Sequence, residues 1–200
     1  MVISHRVVMN KKQVMRDSTI LAGKELLYPE EFYRDRQWSY PRFFKMDKLC
    51  KWACAGAELL FSGDGLYKEI DKNKIGIVLA TSHGCLDVDK RYLDSIEMPS
   101  PALFVYTLPN IMLGEICIRH GFKGSQLCME SEQFDAEEIY FTVNDLLENR
   151  GMDACLCGWA DAAGDEHDVC LFWVVKGNSG DEFTPGAIQA LFEQRNIQHT

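Results

Sequence analysis

The segment from Ser100 to Gly124 reads SPALFVYTLPNIMLGEICIRHGFKG, and it sets the first expectation for the fold. Its first part, Ala102–Tyr106, is apolar and short, which is typical of a strand that ends before Pro109. Its second part, Ile111–His120, carries apolar residues at the three- and four-residue spacing of an amphipathic helix. Gly121 follows where helices commonly end. The segment therefore predicts a short strand, a turn and a helix.

The sequence on both sides of this segment alternates between helix and strand patterns. Apolar or small residues recur at helical spacing from Met46 to Phe61, whereas Ile75–Ala80 is a continuous apolar run, as in strands buried on both faces. Asp89–Glu97 is polar enough for a surface segment. The other predicted elements are strands at Val2–Met9, Leu127–Glu132, Met152–Gly158 and Asp168–Val175, and helices at Asp135–Arg150 and from Thr184–Pro185 to about Arg195. This alternation indicates an α/β protein with a largely buried sheet.

The composition favours one globular domain over residues 1–200. A chain of 200 residues with 46% hydrophobic content can bury one core. Its net charge of -9 disfavours nucleic acid and membrane surfaces as partners, because both are bound mainly through Lys and Arg. With neither a long apolar run nor a secretory leader, the chain is expected in the cytoplasm, with its eight cysteines mostly as buried thiols.

Four segments resemble β-ketoacyl synthases, in the same order and at similar separations. In Ser100–Gly124, Leu-Pro-Asn is followed by a helix that ends in Ile-Arg-x-Gly-x-Lys-Gly, as in that family. The other three are KMDKLCKWACAGAELL at Lys45–Leu60, IGIVLATSHGCL at Ile75–Leu86, and ACLCGWADA at Ala154–Ala162, where ketosynthases have Gly-Gly-x-Glu-Ala. The resemblance covers about residues 40–163. It implies half of a thiolase-like fold, with a five-stranded mixed sheet flanked by helices in αβα layers.

The resemblance places Gln133 where active ketosynthases have their nucleophilic cysteine. In those enzymes the cysteine stands at the N-terminus of a buried helix, which stabilises a thiolate. A carboxamide cannot attack a thioester. The nearest thiol, Cys128, lies earlier on the predicted strand and on its opposite face. Glu132 and Gln133 resemble chain-length factors, although small residues follow the glutamine there, and Phe134 and Asp135 follow it here.

The same resemblance implies a catalytically inactive relative. The family's catalytic histidines and lysine lie in a C-terminal half for which this chain has no matching motif, so we expect no condensing activity alone, and no cofactor or metal. The elbow beside the acyl pocket corresponds to Glu132, Gln133 and Phe134. The Gln133 amide either mimics an acyl carbonyl, fills the pocket with hydrogen bonds, or merely fits the turn.

The first functional hypothesis is a chain-length-factor-like or accessory subunit of fatty acid or polyketide-type (polyene) biosynthesis. Such a subunit forms a homodimer, or a heterodimer with an active ketosynthase. In the family, the strand before the elbow pairs across the dimer axis. The corresponding residues here are Leu127, Cys128, Met129, Glu130 and Ser131. The residues that correspond to the docking site for acyl carrier protein are the basic Arg42, Lys45 and Lys48.

The second hypothesis is an acyl-binding protein or acyltransferase that uses His83 or Cys85, in the loop after the Ile75–Ala80 strand. A reactive cysteine there would have a lowered pKa and would react quickly with thiol reagents. The cysteine pairs lack the spacing of zinc sites, so structural thiols are expected. The acidic residues do not have the spacing of a calcium-binding loop, so we expect them to form a solvated turn. They are Asp161, Asp165, Glu166 and Asp168.

Overall fold

The structure of the chain is a computed structural model that describes residues 1–22, 28–63 and 65–196. These residues form one mixed β-sheet of eight strands. In chain order the strands are β1 (Val2–Asn10), β2 (Val14–Arg16), β3 (Thr19–Ala22), β4 (Ile75–Thr81), β5 (Gln126–Glu130), β6 (Ala154–Ala163), β7 (Glu166–Val175) and β8 (Asp181–Glu182). Strand β4 lies parallel to β5 and to β6, and the remaining pairs are antiparallel.

The order of the strands in the sheet is β3-β2-β1-β7-β6-β4-β5, and β8 pairs with β1. Strand β5 therefore forms one edge of the described sheet. Every residue of β4 is buried, in agreement with its continuous apolar sequence. The carboxyl ends of parallel strands meet at the same edge of a sheet, where α/β proteins commonly place their sites. The residues that follow β4, β5 and β6 are thus brought together.

Helices cover both faces of the sheet in αβα layers. They are α1 (Pro29–Asp35), α2 (Lys48–Phe61), α3 (Leu86–Asp94), α4 (Pro101–Phe104), α5 (Ile111–His120), α6 (Ala136–Glu148) and α7 (Pro185–Glu193). Helices α1, α2 and α5 share one hydrophobic cluster with one face of the sheet. Helices α6 and α7 share a second cluster with the other face. Within the described ranges, no helix has both the length and the apolar character needed to cross a membrane.

Several helix boundaries confirm the sequence predictions. Helix α5 occupies Ile111–His120 as predicted, and Gly121 ends it with a φ of 75°. The side chain of Asp135 accepts a hydrogen bond from the backbone N–H of Glu138 and caps α6. Thr184 caps α7 in the same way, with Pro185 at the first helical position. Capping side chains satisfy backbone donors that a helix leaves unpaired, so they fix where these helices begin.

The expectation of five strands was wrong, because the sheet has eight. The strands that the sequence did not predict are β2, β3 and β8, whereas β1 and β7 correspond to the strands predicted at Val2–Met9 and Asp168–Val175. In β1, Val7 and Met9 belong to one hydrophobic cluster and Val8 belongs to the other. A strand with apolar residues on both faces is stable only inside a covered sheet. Strand β1 accordingly pairs with β7 along nearly its whole length and extends the sheet.

The short strand predicted at Ala102–Tyr106 was also wrong, since this segment begins with helix α4. The hydroxyl of Ser100 accepts a hydrogen bond from the backbone N–H of Leu103, and Pro101 stands at the first helical position. A short apolar run does not distinguish a strand from a helix, whereas a capping serine followed by proline favours a helix. Nearby, the polar segment predicted at Asp89–Glu97 is largely the exposed side of α3.

The contact between β6 and β7 requires glycine at position 158. Gly158 has a φ of 136°, and a Cβ atom there would lie 2.1 Å from the carbonyl oxygen of Cys170. The opposing atom is backbone in the middle of the sheet, and it cannot move aside cheaply.

We predict that Gly158→Ala lowers the free energy of unfolding by about 3 kcal/mol or more, because both the backbone conformation and the contact become strained. Gly114→Ala is the matched control. Gly114 lies inside α5 with open space around its missing Cβ, and alanine there should stabilise the helix by about 0.5–1 kcal/mol. Urea unfolding of both variants measures the difference. Equal unfolding free energies for the two variants would contradict the predicted strain at position 158.

Candidate functional site

The turn after β5 contains Gln133, the residue that the sequence resemblance aligns with the ketosynthase nucleophile. Gln133 is exposed, and its carbonyl oxygen accepts a hydrogen bond of 2.8 Å from the hydroxyl of Ser131. It precedes Asp135, whose carboxylate caps α6. The positive end of α6 is therefore already occupied by a carboxylate of the chain itself. A thiolate or an oxyanion would meet a negative charge there instead of free backbone donors.

Cys128 does not substitute for the missing nucleophile. Its side chain packs against the cluster beneath α2 and α5, whereas Phe134 and Ala136 belong to the cluster beneath α6. The prediction that Cys128 faces away from the elbow is confirmed. Burial, with a contribution from Glu130, raises the pKa of the Cys128 thiol to about 11. This thiol is protonated at neutral pH and is a poor nucleophile.

The surroundings of Cys85, the thiol proposed for an alternative site, also make it unreactive. It is buried, and its sulfur lies 3.4 Å from a carboxylate oxygen of Asp89. Burial first, and then Asp89, raise its pKa to about 12. All eight cysteines fall within the described residues as free thiols, and all but Cys128 are buried. The prediction of mostly buried thiols is confirmed.

His83 forms the most specific polar contact at this edge of the sheet. Its Nδ1 lies 2.6 Å from Oδ2 of Asp161, a residue of β6. The other carboxylate oxygen accepts hydrogen bonds from the hydroxyl of Thr81, at 2.7 Å, and from the backbone N–H groups of Ser82 and His83, at 3.0 and 2.8 Å. The carboxylate thus holds both the loop after β4 and the imidazole.

A second carboxylate stands directly opposite Asp161. Asp168 is its cross-strand neighbour on β7, and Oδ2 of Asp168 accepts a hydrogen bond of 2.8 Å from Nε of Arg195. Burial alone would raise the pKa of Asp161, but hydrogen bonds from His83 and Thr81 outweigh burial and lower that pKa. Burial raises the pKa of Asp168, although Arg195 opposes the rise. The two carboxyl groups therefore have different proton affinities.

The interpretation of the acidic residues as one solvated turn was wrong for Asp161 and Asp168. Strands β6 and β7 continue to Ala163 and from Glu166, so that only Gly164 and Asp165 remain for the turn. The side chain of Asp161 is only 13% exposed. Sequence reasoning missed its pairing with His83. A signal was present, because Asp161 stands at the glutamate position of the ketosynthase motif Gly-Gly-x-Glu-Ala.

Three cavities line this edge. One of about 690 Å³ lies between the elbow and the start of α7, and Glu132, Gln133 and Phe134 line it. The second, of about 460 Å³, is bordered by these three residues, by His83 and Asp161, and by the aromatic Trp159 and Phe192. The third, of about 320 Å³, also includes His83 and Asp161, and it is lined by Lys11 and Lys12 as well. The predicted elbow and the predicted histidine thus share one groove. Among the described residues, no group of His, Cys, Asp and Glu side chains is arranged to hold a metal ion.

The strand predicted to pair across a dimer axis is β5, at the edge of the sheet. The backbone N–H of Ile77 donates to Ser125, and that of Ser131 donates to Thr81. Since alternate residues of a parallel strand bond to the same neighbour, Gln126, Cys128 and Glu130 direct their backbone groups to the open edge. In their side chains, Leu127 is 44% exposed, Met129 is buried, Glu130 is exposed, and Cys128 and Ser131 are intermediate.

No protein-family model and no curated protein sequence matches the chain. Solved structures do match. One is a chain of the ketosynthase ApeO in complex with its chain length factor ApeC from Xenorhabdus doucetiae, with a TM-score of 0.61 and 11% identity over 99% of this chain and 93% of that chain. Another is the ishigamide ketosynthase/chain length factor, with a TM-score of 0.61 and 16% identity over 90% of this chain and 63% of that chain.

A third match is AntDE:AntF, a type II polyketide synthase acyl-carrier protein in complex with its ketosynthase bound to the hexaketide. The TM-score is 0.61, with 11% identity over 88% of this chain and 62% of that chain. The chain has the thiolase-like fold of ketosynthases. This confirms the mixed sheet and the αβα layers predicted from the sequence. The chain spans about six tenths of the second and third matched chains, but nearly all of the first.

The three basic residues predicted to dock a carrier protein are not equivalent. Arg42 forms two hydrogen bonds, of 2.6 and 3.0 Å, to the carboxylate of Glu115, which is only 1% exposed and also accepts one from Tyr106. Lys48 donates to the carbonyl oxygen of Gly164. Lys45 is exposed and has no ion pair with another described residue. Arg42 therefore has a structural role, and Lys45 is the freest of the three.

We predict that Arg42→Met lowers the free energy of unfolding by about 3 kcal/mol, because it leaves the Glu115 carboxylate buried without its cation. Lys45→Met, in the same turn, is the control and should change stability by less than about 0.5 kcal/mol. Adding Glu115→Gln to Arg42→Met should recover part of the loss. Chemical denaturation measures all three. An Arg42 variant as stable as the control would show that the pair contributes nothing.

Proposed function

We propose that the chain is a ketosynthase-like subunit, catalytically inactive as a condensing enzyme, that acts as a chain-length factor or accessory protein in fatty acid or polyketide-type (polyene) biosynthesis in the cytoplasm. Its partner in this proposal is an active ketosynthase, with which it forms a heterodimer. The observation that carries the proposal is the combination, at one edge of a ketosynthase fold, of a carboxamide in place of the nucleophile and an open strand beside it.

The surroundings of Gln133 support the absence of condensing activity. Its carboxamide cannot form an acyl-enzyme, and the cap of α6 by Asp135 removes the positive helix end that would activate a thiol. Burial raises the pKa of both nearby thiols, Cys85 and Cys128. Neither thiol is therefore available as a nucleophile at neutral pH.

The open edge of β5 supports a role as a subunit. Its outward N–H and C=O groups can continue the sheet into another chain, and an uncovered edge is a hazard for aggregation. The flanking surface also has exposed apolar side chains, Leu127 on the strand and Ile118 on α5, which are 44% and 58% exposed. An apolar margin next to a free strand is typical of an interface that is covered in the assembled protein.

The choice of partner rests on the matched structures. Two of them are complexes of a ketosynthase with a chain length factor. In the first, the matched chain is close in length to this one, because the aligned region includes 99% of this chain and 93% of that chain. A chain of this size is therefore part of a ketosynthase and chain length factor complex, which supports a heterodimer over a second copy of this chain.

The main experiment is capture of a ketosynthase that is encoded nearby, by co-expression and size-exclusion chromatography with light scattering. Expected is a stable complex, and no transfer of radiolabelled malonyl units into longer acyl product by the chain alone. A chain that stays monomeric and captures no ketosynthase, or one that elongates acyl groups by itself, would overturn the proposal.

Glu130→Pro tests the role of the open edge. We predict that it weakens assembly about ten-fold or more, because proline removes an outward N–H and leaves the partner's acceptor unpaired. The fold of the isolated chain should survive, since proline is tolerated at edge strands where the N–H faces outward. Glu130→Ala, which keeps the N–H, is the control and should assemble normally. Equal affinity of the two variants would exclude pairing through this edge.

Lys45 tests the proposed docking of an acidic acyl carrier protein. We predict that Lys45→Glu weakens carrier binding to the assembled complex, and that the effect shrinks as salt is raised, because an exposed cation acts through a screened attraction. Lys176→Glu, an exposed position after β7, makes the same change in net charge elsewhere. Fluorescence anisotropy with labelled carrier measures binding. Identical affinities would remove Lys45 from the docking surface.

A further inference from the structure

The contact between His83 and Asp161 is built as a proton-transfer pair. Asp161 holds a lowered pKa and is ionised at neutral pH, so it can only accept a hydrogen bond. In the neutral form of His83, Nδ1, at 2.6 Å from this carboxylate, carries the proton and Nε2 presents its lone pair. Nε2 lies on the side of the ring away from Asp161. The side chain of His83 is 49% exposed, so this nitrogen is accessible to a small molecule.

The carboxylate of the pair is fixed more firmly than a surface ion pair requires. Oδ1 of Asp161 accepts from the Thr81 hydroxyl and from two backbone N–H groups, while Oδ2 binds the imidazole. Both residues follow or belong to strands of the rigid sheet, β4 and β6. A carboxylate held in this way fixes the tautomer and the orientation of the histidine, as a positioning residue for a general base does.

Asp168 and Arg195 complete the electrostatics around the pair. Asp168 faces Asp161 across the strands, and two ionised carboxylates so placed would repel each other. Arg195 offsets this repulsion by binding Asp168, and it also lies 3.4 Å over the ring of Phe192. Neighbouring carboxyl groups whose pKa values are driven apart are a feature of sites that move protons.

The groove beside His83 fits an acyl group. In the cavity of about 460 Å³, the aromatic side chains of Phe134, Trp159 and Phe192 pack against one another and form an apolar floor, while the other lining residues are polar or charged. The cavity of about 320 Å³ also includes His83, and Lys11 and Lys12 line it. An apolar acyl chain against the three aromatic rings would bring its ester or thioester bond near His83, which lines both cavities. Cavities of this size hold small organic ligands.

We infer that His83, positioned by Asp161, is the general base of an acyl hydrolase site whose substrates are esters or thioesters of apolar acyl groups. Nε2 of His83 takes a proton from water while the water oxygen forms a bond to the acyl carbon and the π electron pair of the C=O bond moves onto the carbonyl oxygen. When this pair returns to re-form the C=O bond, the bond from carbon to the leaving oxygen or sulfur breaks, and the imidazolium gives its proton to the leaving group. The products are a carboxylic acid and an alcohol or thiol, and no oxidant or further reactant is needed.

This activity is separate from the proposed role as a subunit. It uses the ends of β4 and β6, not Gln133 or the open edge of β5, and it belongs to the chain alone. Capture of a ketosynthase tests the subunit role, whereas hydrolysis by the purified chain tests the inference, so that failure of one leaves the other standing.

The experiment measures hydrolysis of acetyl, hexanoyl and decanoyl esters of p-nitrophenol, and of the same acyl groups as N-acetylcysteamine thioesters. Preference for the longer acyl groups is expected from the aromatic floor, and the comparison of the two series distinguishes esters from thioesters. His83→Gln should lower kcat by about 100-fold or more with little change in KM, since a general base acts in the transition state. His5→Gln, a partly buried histidine of β1 outside both cavities, is the control.

Two further readouts separate chemistry from structure. Imidazole in solution should restore part of the activity of His83→Ala, which no loss of fold would allow. Asp161→Asn should lower kcat, and adding it to His83→Gln should cause little further loss, because the two residues act as one unit. Absence of hydrolysis in the native chain, activity unchanged by His83→Gln, or failure of imidazole to rescue His83→Ala would each overturn the inference.

Discussion

The parallel arrangement of β5, β4 and β6 is the constraint on which the rest of the structure depends. Every residue of β4 is buried, and the strand is hydrogen-bonded on both sides, so its position is set by the whole core. Parallel strands end at the same edge, and three segments distant in the sequence therefore meet there. The loop with His83, the elbow with Gln133 and the carboxylate of Asp161 are neighbours for this reason alone.

The residues beyond the ketosynthase-like segment complete the molecule around this centre. Strands β1 and β7 continue the sheet on one side, and helix α7 covers the face that α6 leaves open, through a stacked contact between Phe134 and Phe192 at 3.9 Å. Both sheet faces are thus covered within a chain that spans about six tenths of two of the matched chains. What stays open is an edge and not a face, and this directs assembly to strand pairing.

The sequence predicted features that depend on local chemistry and failed where distant contacts decide. The bounds of α5, the cap by Thr184 and the burial of β4 follow from spacing and capping, which are local. The eight-stranded sheet depends on pairing between β1 and β7, at opposite ends of the chain. The pairing of His83 with Asp161 likewise joins residues far apart in sequence, and the motif around Asp161 marks that residue but does not identify its partner.

Two sites at the same edge differ in how their side chains are held. Gln133 is exposed on a turn where its backbone carbonyl accepts a hydrogen bond from Ser131, and its side chain makes no hydrogen bond to another described residue, so this side chain can adapt to a partner or an acyl chain. His83 is held by the carboxylate of Asp161, which accepts hydrogen bonds from four donors. It follows β4, a strand that the core holds in place. Proton transfer requires a fixed geometry, whereas recognition tolerates movement. Chemistry at this edge is therefore assigned to the strand ends, and recognition to the elbow and the open edge.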